Sequence, residues 1–299
     1  MNSKHVIMLC GKGGVGKTTC AAATALHYAT LGNRTLVISS DLTPSLRDVF
    51  EIEDSQTPVK VMDNLYLDEV SYDGVKALWD KKFGPEVYDV FSSFVDISYE
   101  AFVDFVTSIL PGLRDEFMVD YIRELSESGE YDKIVWDTAP AGQTLGLLRM
   151  PAIVNEHLRT APRIYSSVKT TRQRKRTILG VIRDWQQLSD HDMRFLRSQV
   201  DFNLVTIAEA LAVRQIDGIL AELSSYGLRL GHVIINQVVE NPDSPFLRAK
   251  ADMQQAYISE LESKYQFRFT KLPLFPSEIR GAQKLEKVER RLFHDVSAT

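Results

Sequence analysis

The chain has 299 residues, 44% hydrophobic and 25% charged, with a formal net charge of −5. Such a composition is ordinary for a globular protein of one to three domains, and its acidity argues against a chain built mainly to coat nucleic acid. No run approaches the roughly 18 apolar residues of a transmembrane helix, no leader pattern precedes the first apolar run, and the two cysteines, Cys10 and Cys20, form no Cys-x-x-Cys pair, so small buried packing thiols in a cytoplasmic protein are expected.

The first apolar run, Val6 to Leu9, reads as a buried strand. It leads into Gly11-Lys12-Gly13-Gly14-Val15-Gly16-Lys17-Thr18-Thr19, which fits the Gly-x-x-x-x-Gly-Lys-Ser/Thr phosphate loop. The glycines let the backbone wrap a polyphosphate with its N–H groups turned inward. The next helix, with Ala22, Ala25 and Leu26 at helical spacing, points the positive end of its dipole at the same phosphates. In this motif Lys17 reaches the β- and γ-phosphates of a nucleotide and the Thr18 hydroxyl ligates Mg²⁺. The second lysine, Lys12, exceeds what one phosphate site requires: it is either a solvated turn residue or serves a different set of phosphates.

Gly32 offers a helix stop, and Arg34 to Ser40 form a second strand that ends in Asp41. Residues 41–50 read as a loop entering a short helix. Alternation from Leu65 to Val70 gives a further strand, an edge position being one option. Residues 75–128 carry helical periodicity and six phenylalanines, Phe83, Phe91, Phe94, Phe102, Phe105 and Phe117, with a break at Pro111-Gly112 before a helix from about Asp115. Lys133 to Trp136 form a short strand ending in Asp137, followed by Thr138-Ala139-Pro140-Ala141-Gly142. Residues 150–200 are again helical and carry a basic run from Lys169 to Arg176. Strands at Asn203–Ile207, Val233–Ile235 and Phe267–Leu272 then alternate with helices at about 210–224 and 246–263. A terminal helix sets Leu285, Val288 and Leu292 on one side, against Lys284, Lys287, Arg290 and Arg291. The alternation predicts an α/β fold, a mostly parallel sheet flanked by helices. The expected domains are 1–74, 129–149 and 201–299 for the ATP-binding part, and 75–128 with 150–200 for an inserted α-helical subdomain.

With Lys12 and the two Asp-led loops in view, the chain resembles the deviant phosphate-loop ATPases. Asp137-Thr138-Ala139-Pro140-x-Gly142-x-Thr-Leu looks like switch II of the arsenite-pump and tail-anchored-protein-targeting branch. Further matches are Ser40-Asp41 as the start of switch I, Glu209 in Ile-Ala-Glu-Ala-Leu, Asn236 in Ile-Ile-Asn-Gln-Val, and the segment Pro273-Leu274-Phe275-Pro276-Ser-Glu-Ile-Arg-Gly281. The resemblance implies a homodimer in which Lys12 reaches the partner's phosphates. It implies Asp41 as the residue orienting the attacking water and Asp137 as a Mg²⁺ holder acting through water. Asn236 and Pro273 to Pro276 would cradle adenine, and Glu209 would lie near the nucleotide.

It further implies a client groove in the helical insertions, with Phe91, Phe94, Phe102 and Phe105 as candidates to hold a hydrophobic membrane-protein helix. Core packing is the competing reading of those rings. A membrane-bound receptor or an efflux partner would complete the cycle, with no specific nucleic acid. The expected location is the cytoplasm, free or peripheral at the membrane. Two departures from the branch bear on the dimer and the switch. Switch I has Leu42-Thr43-Pro44 after Asp41, in place of Pro-Ala-His. The segment Asn241 to Arg248 also lacks the zinc-binding cysteines of the eukaryotic targeting ATPases, so no zinc is expected. An arsenite-stimulated efflux-pump subunit and a Min/Par-like positioning ATPase are the alternatives.

Overall fold

The computed structural model describes residues 5–41, 45–54, 57–70, 72–92, 97–103, 111–165 and 178–294. Eight strands form one sheet: β1 (Val6–Cys10), β2 (Thr35–Ser39), β3 (Val59–Met62), β4 (Leu65–Glu69), β5 (Lys133–Asp137), β6 (Val200–Ile207), β7 (Leu230–Val238) and β8 (Arg268–Pro273). Their order is β3-β4-β2-β5-β1-β6-β7-β8, and every pairing is parallel except β3 with β4. β1, β2 and β5 are buried along their whole length. Their unbroken apolar runs are what strands in the middle of a covered parallel sheet require.

The helices are α1 (Lys17–Thr30), α2 (Leu46–Phe50), α3 (Tyr72–Phe91), α4 (Pro111–Glu127), α5 (Ala141–Tyr165), α6 (Ile178–Gln199), α7 (Ala210–Ser225), α8 (Pro245–Lys264) and α9 (Ala282–Phe293), with a further helical segment at 99–103. α1 carries Ala21, Ala22, Ala23 and Ala25, all fully buried, so its backbone approaches its neighbours closely. α9 packs on α1, and Leu285, Val288 and Leu292 are at most 2% exposed. The apolar side of this basic helix is thus used up in packing and is not free to lie on a membrane.

The contacts divide the chain into two compact units. One comprises Met1–Val70, Leu125–Leu145 and Arg197–Thr299; the other comprises Ser71–Glu124 and Gly146–Leu196. The first holds the whole sheet. The second is helical, and its core includes a charged network. Arg123 of α4 donates from Nε to Asp192 Oδ1 of α6 at 2.6 Å and from Nη2 to Asp120 of its own helix, while Lys82 of α3 pairs with Asp120 and Glu124. Asp120 and Asp192 are 1% and 0% exposed.

Several elements differ from their expected bounds. β3 was not expected: it is short, but Val59 and Val61 alternate, and Asp63-Asn64, with Asn64 at φ 63°, turns the chain into β4. That hairpin makes β3 the edge and leaves β4 inside it. α4 begins at Pro111, earlier than the expected Asp115, because proline in a first helical turn gives up an N–H that has no partner there anyway. β6 begins at Val200, which pairs with Val6, so it runs along all of β1.

Candidate active site

The site gathers at the carboxyl ends of β2, β5 and β1, which are adjacent in the sheet. Ser39, Asp137 and Leu9 lie level with one another across the three strands. The chain passes from β1 to β2 on one side of it and later from β5 to β6 on the other, so the crevice for a ligand opens at this point of the sheet.

Two glycines of the loop are required by space. A Cβ on Gly11 (φ 151°) would stand 2.1 Å from the Val205 carbonyl oxygen, and one on Gly16 (φ 93°) would stand 2.3 Å from Asn236 Nδ2. Lys17 is buried and donates from Nζ to the Lys12 carbonyl at 3.1 Å. Burial lowers its pKa, while Asp137 and Asp41 act in the opposite sense and favour the ammonium. The Lys12 residue, by contrast, is exposed.

The loop after β5 is fastened to the phosphate loop. Thr138 Oγ1 donates to the Leu9 carbonyl at 2.8 Å, and the Ala141 N–H donates to the Gly11 carbonyl at 2.9 Å. Thr144 Oγ1 caps the Ala139 carbonyl at 2.7 Å. The loop after β2 is tied to the same place: the Ser40 N–H donates to the Asp137 carbonyl, and Trp136 Nε1 donates to Ser40 Oγ at 2.9 Å. Asp41 follows directly, its N–H donating to Ser39 Oγ at 3.3 Å.

Thr18 Oγ1 donates to Asp137 Oδ2 at 2.9 Å, and Ser45 Oγ lies 3.5 Å from Thr18 Oγ1. Among the described residues, Asp137 Oδ1 is buried without a hydrogen-bond partner. Adjacent hard oxygens, one of them orphaned, suit Mg²⁺, which takes one or two protein oxygens and keeps several waters. Burial pushes the Asp137 carboxyl up to about 7; the Thr18 hydrogen bond and Lys17 oppose this, while Asp41 and Glu69 add to it.

A raised folded-state pKa means that the folded protein holds this proton between about pH 4 and 7 where the unfolded chain has released it, so stability falls as pH rises through that window. Without nucleotide or divalent cation, the melting temperature should fall between pH 5 and 7.5, and Asp137→Asn should flatten that fall. An equal slope in both proteins, read by scanning fluorimetry, would assign the titration elsewhere.

Beside the loop opens a cavity of about 360 Å³. Gly16 and Thr19 line it from the loop, Asn236 and Gln237 from the end of β7, and Pro273, Leu274 and Phe275 from the end of β8. Asn236 Nδ2 donates to the Val15 carbonyl at 2.8 Å, and its Oδ1 accepts the Gln237 N–H at 2.8 Å. Neither Pro276 nor Glu209 is among the lining residues. Glu209 precedes α7 and lies 4.0 Å from Lys250 of α8.

Several residues of the site carry no motif. Gln254, buried in α8, accepts the Val239 N–H at 2.9 Å and donates to the Gln237 carbonyl at 2.8 Å, holding the loop that presents Asn236. Val49 and Val288 also line the cavity, together with Asp48 and with Glu278, Ile279 and Arg280 of the Pro273–Gly281 segment already matched in the sequence. The Gly281 N–H donates to the Val49 carbonyl at 2.9 Å, which straps the start of α9 to α2.

Of the proposed groove residues, Phe102 is fully buried and packs against Tyr88. Phe91 ends α3, but its side chain lies outside the described residues, as do Phe94, Phe105 and the basic run 169–176. No helix among the described residues is long and apolar enough to cross a membrane.

The model of one protein family, described as anion-transporting ATPase, matches residues 4–294. A protein of Prosthecochloris vibrioformis named an arsenical pump-driving ATPase is 27% identical, the match covering 97% of this chain and 76% of that protein. The ATPase GET3A of Arabidopsis thaliana is 28% identical, over 94% of this chain and 81% of its own length. The ATPase get3 of Schizosaccharomyces pombe is 27% identical, over 96% and 90%.

Proposed function

The chain belongs to the anion-transporting ATPase family, and from that premise we propose that it is a dimeric, ATP-driven targeting factor that captures and delivers hydrophobic membrane-protein helices, tail-anchored proteins among them. It is an ATPase of that family. The observation that carries the catalytic half of the proposal is the pairing of Thr18 with buried Asp137, beside a cavity of a size that suits a small ligand.

ATP supplies the phosphoryl bond, and Mg²⁺ supplies charge neutralisation at the phosphates. Thr18 and Asp137 would hold the metal, Asp137 through water. Lys17 would hold the phosphates with the N–H groups of Gly13 to Thr19. Asp41 would orient the attacking water and accept its proton. Asn236 and the strand end at Pro273 to Phe275 would enclose the base. Lys12 would stabilise charge in the site of a second copy, as an arginine finger does.

For the client, the support is the helical second unit and the course of α5. This helix starts at the Pro140 loop and continues into the helical unit. A change at Asp137 on hydrolysis would act at its first turn. A groove for an apolar helix would draw on Phe91, Phe94 and Phe105. A membrane-bound receptor would accept the client, and the protein would work in the cytoplasm, free or at a membrane surface.

The Asp41→Asn variant tests this reading. It should bind ATP normally, hydrolyse it about 10²–10⁴-fold more slowly, and retain single-helix membrane proteins on affinity purification from native cells. Retention of a polytopic efflux protein alone would favour the pump reading.

That second reading is suggested by the name of the Prosthecochloris relative. It meets a chemical obstacle in this chain. Trivalent arsenic takes thiolates, yet Cys10 and Cys20 are both buried, and burial pushes each thiol up to about 12. Turnover that rises with arsenite in the purified protein would restore it.

A further inference from the structure

The last turn of α1 and the end of α9 meet at three donor side chains that phosphate chemistry does not use. His27 Nδ1 lies 2.7 Å from Glu289 Oε1, and His294 Nε2 lies 3.1 Å from that same oxygen. The three ligand atoms all fall within 4.8 Å of one another. In a tetrahedral site with bonds of about 2.0–2.1 Å, neighbouring ligand atoms stand about 3.4 Å apart. Two edges of the triangle are already near that length. The third closes by movement of His294, whose side chain is 60% exposed.

The other two ligands are held in place. The His27 ring stacks on Phe293 with centroids 3.7 Å apart and planes 1° from parallel. Its side chain is 13% exposed and that of Glu289 is 11% exposed. A rigid, sheltered pair and one mobile, solvent-facing imidazole allow a cation to enter and the last ligand to close on it.

We propose that His27, Glu289 and His294 bind one divalent cation of the Zn²⁺, Co²⁺ or Ni²⁺ class, which clamps α9 onto α1. Two imidazole nitrogens and one carboxylate oxygen suit these borderline ions and not Mg²⁺ or Ca²⁺, which take oxygen sets. The solvent side of His294 leaves a position for water. This site lies within one chain and uses no cysteine, so it is separate from the segment Asn241 to Arg248, whose lack of cysteines carried the expectation of no zinc. Its effect would reach the nucleotide: α1 starts at Lys17, and Val288, the residue before Glu289, lines the cavity beside the phosphate loop. A cation that binds only the folded form would stabilise this wall by mass action.

Co²⁺ is the probe, added to the full chain in excess Mg²⁺ and ADP so that the oxygen site at Thr18 and Asp137 is already filled. One equivalent should give the visible d–d bands of Co²⁺ in a low-coordinate nitrogen–oxygen site and raise the melting temperature. His294→Gln should weaken binding by at least the roughly 10–100-fold that loss of an outer-shell partner costs. Glu289→Gln and His27→Gln should do the same. Should either buried variant fail to fold, His294→Gln still decides, because its side chain is exposed. Absence of the bands at one equivalent, or equal affinity in the wild type and His294→Gln, would overturn the proposal.

Discussion

Lys12→Ala should lower ATP hydrolysis by roughly 10³-fold or more, on the scale of a missing arginine finger, while leaving nucleotide binding to the single chain intact. Lys17→Ala should lose both. The reason lies in how the two lysines are placed. Lys17 is buried within the loop, with Asp137 and Asp41 favouring its charge. Lys12 contributes its carbonyl to holding Lys17, but the residue faces solvent.

Mixing the two variants separates action within one chain from action across a dimer. If Lys12 serves a partner, a mixed dimer has one whole site: the Lys12→Ala copy keeps its own Lys17 and receives Lys12 from the other copy. Activity should then return to at most about a quarter of wild type, because half the dimers are mixed and each has one working site. If Lys12 serves its own chain, both sites of every mixed dimer are defective and nothing returns. Phosphate release and equilibrium binding of a fluorescent nucleotide read the two quantities independently.

Arg123→Ala is expected to cost the helical unit about 3–5 kcal/mol, the range for removing one partner of a buried ion pair. The guanidinium bridges Asp192 of α6 and Asp120 of α4, and both carboxylates are almost wholly buried. Asp192 Oδ2 already has no hydrogen-bond partner among the described residues. Without Arg123, Asp120 keeps Lys82, but Asp192 loses the cation that compensates its burial. Hydrogen exchange should speed up in α3, α4 and α6 first, with the sheet amides protected longer. Arg123→Met combined with Asp192→Asn should recover part of the loss, because it removes the buried charge together with its partner. Uniformly faster exchange through the sheet as well would show that the network is not local to this unit.

These two cases bear on what a sequence discloses. The phosphate loop was legible because wrapping a polyphosphate leaves few choices: glycine at close approaches such as Gly11 on Val205, a lysine, and a hydroxyl. Thr18 and Asp137 are 119 residues apart, yet each follows an apolar strand, and the parallel order of β1 and β5 brings them together. The family match, over residues 4–294, agrees with the resemblance those motifs carry.

Other parts gave no such signal. Gln254 acts on backbone atoms of residues 237 and 239, and any polar residue in a helix looks alike until its neighbours are known. Arg123, Asp120 and Asp192 are charged residues on helices, a pattern that ordinarily marks a solvated face. Periodicity tells which side of a helix is apolar, but not that two carboxylates and a guanidinium meet beneath it. β3 was missed because four residues are too few for alternation to stand out from a loop.

The central pairing of β1 with β6 also sets a timetable. Cys10 and the Asn203 carbonyl it meets are separated by 193 positions in the chain. At synthesis rates of about 5–20 residues per second, roughly 10–40 s pass between the making of one and the other. Only once residues 133–137 are made can β1 pair with β5, and until β6 follows its other edge, on a strand of apolar side chains, has no strand beside it. The nascent protein therefore presents an open, sticky ribbon to the cell until two-thirds of it exists. Its yield should depend on how well chaperones shield that edge during translation.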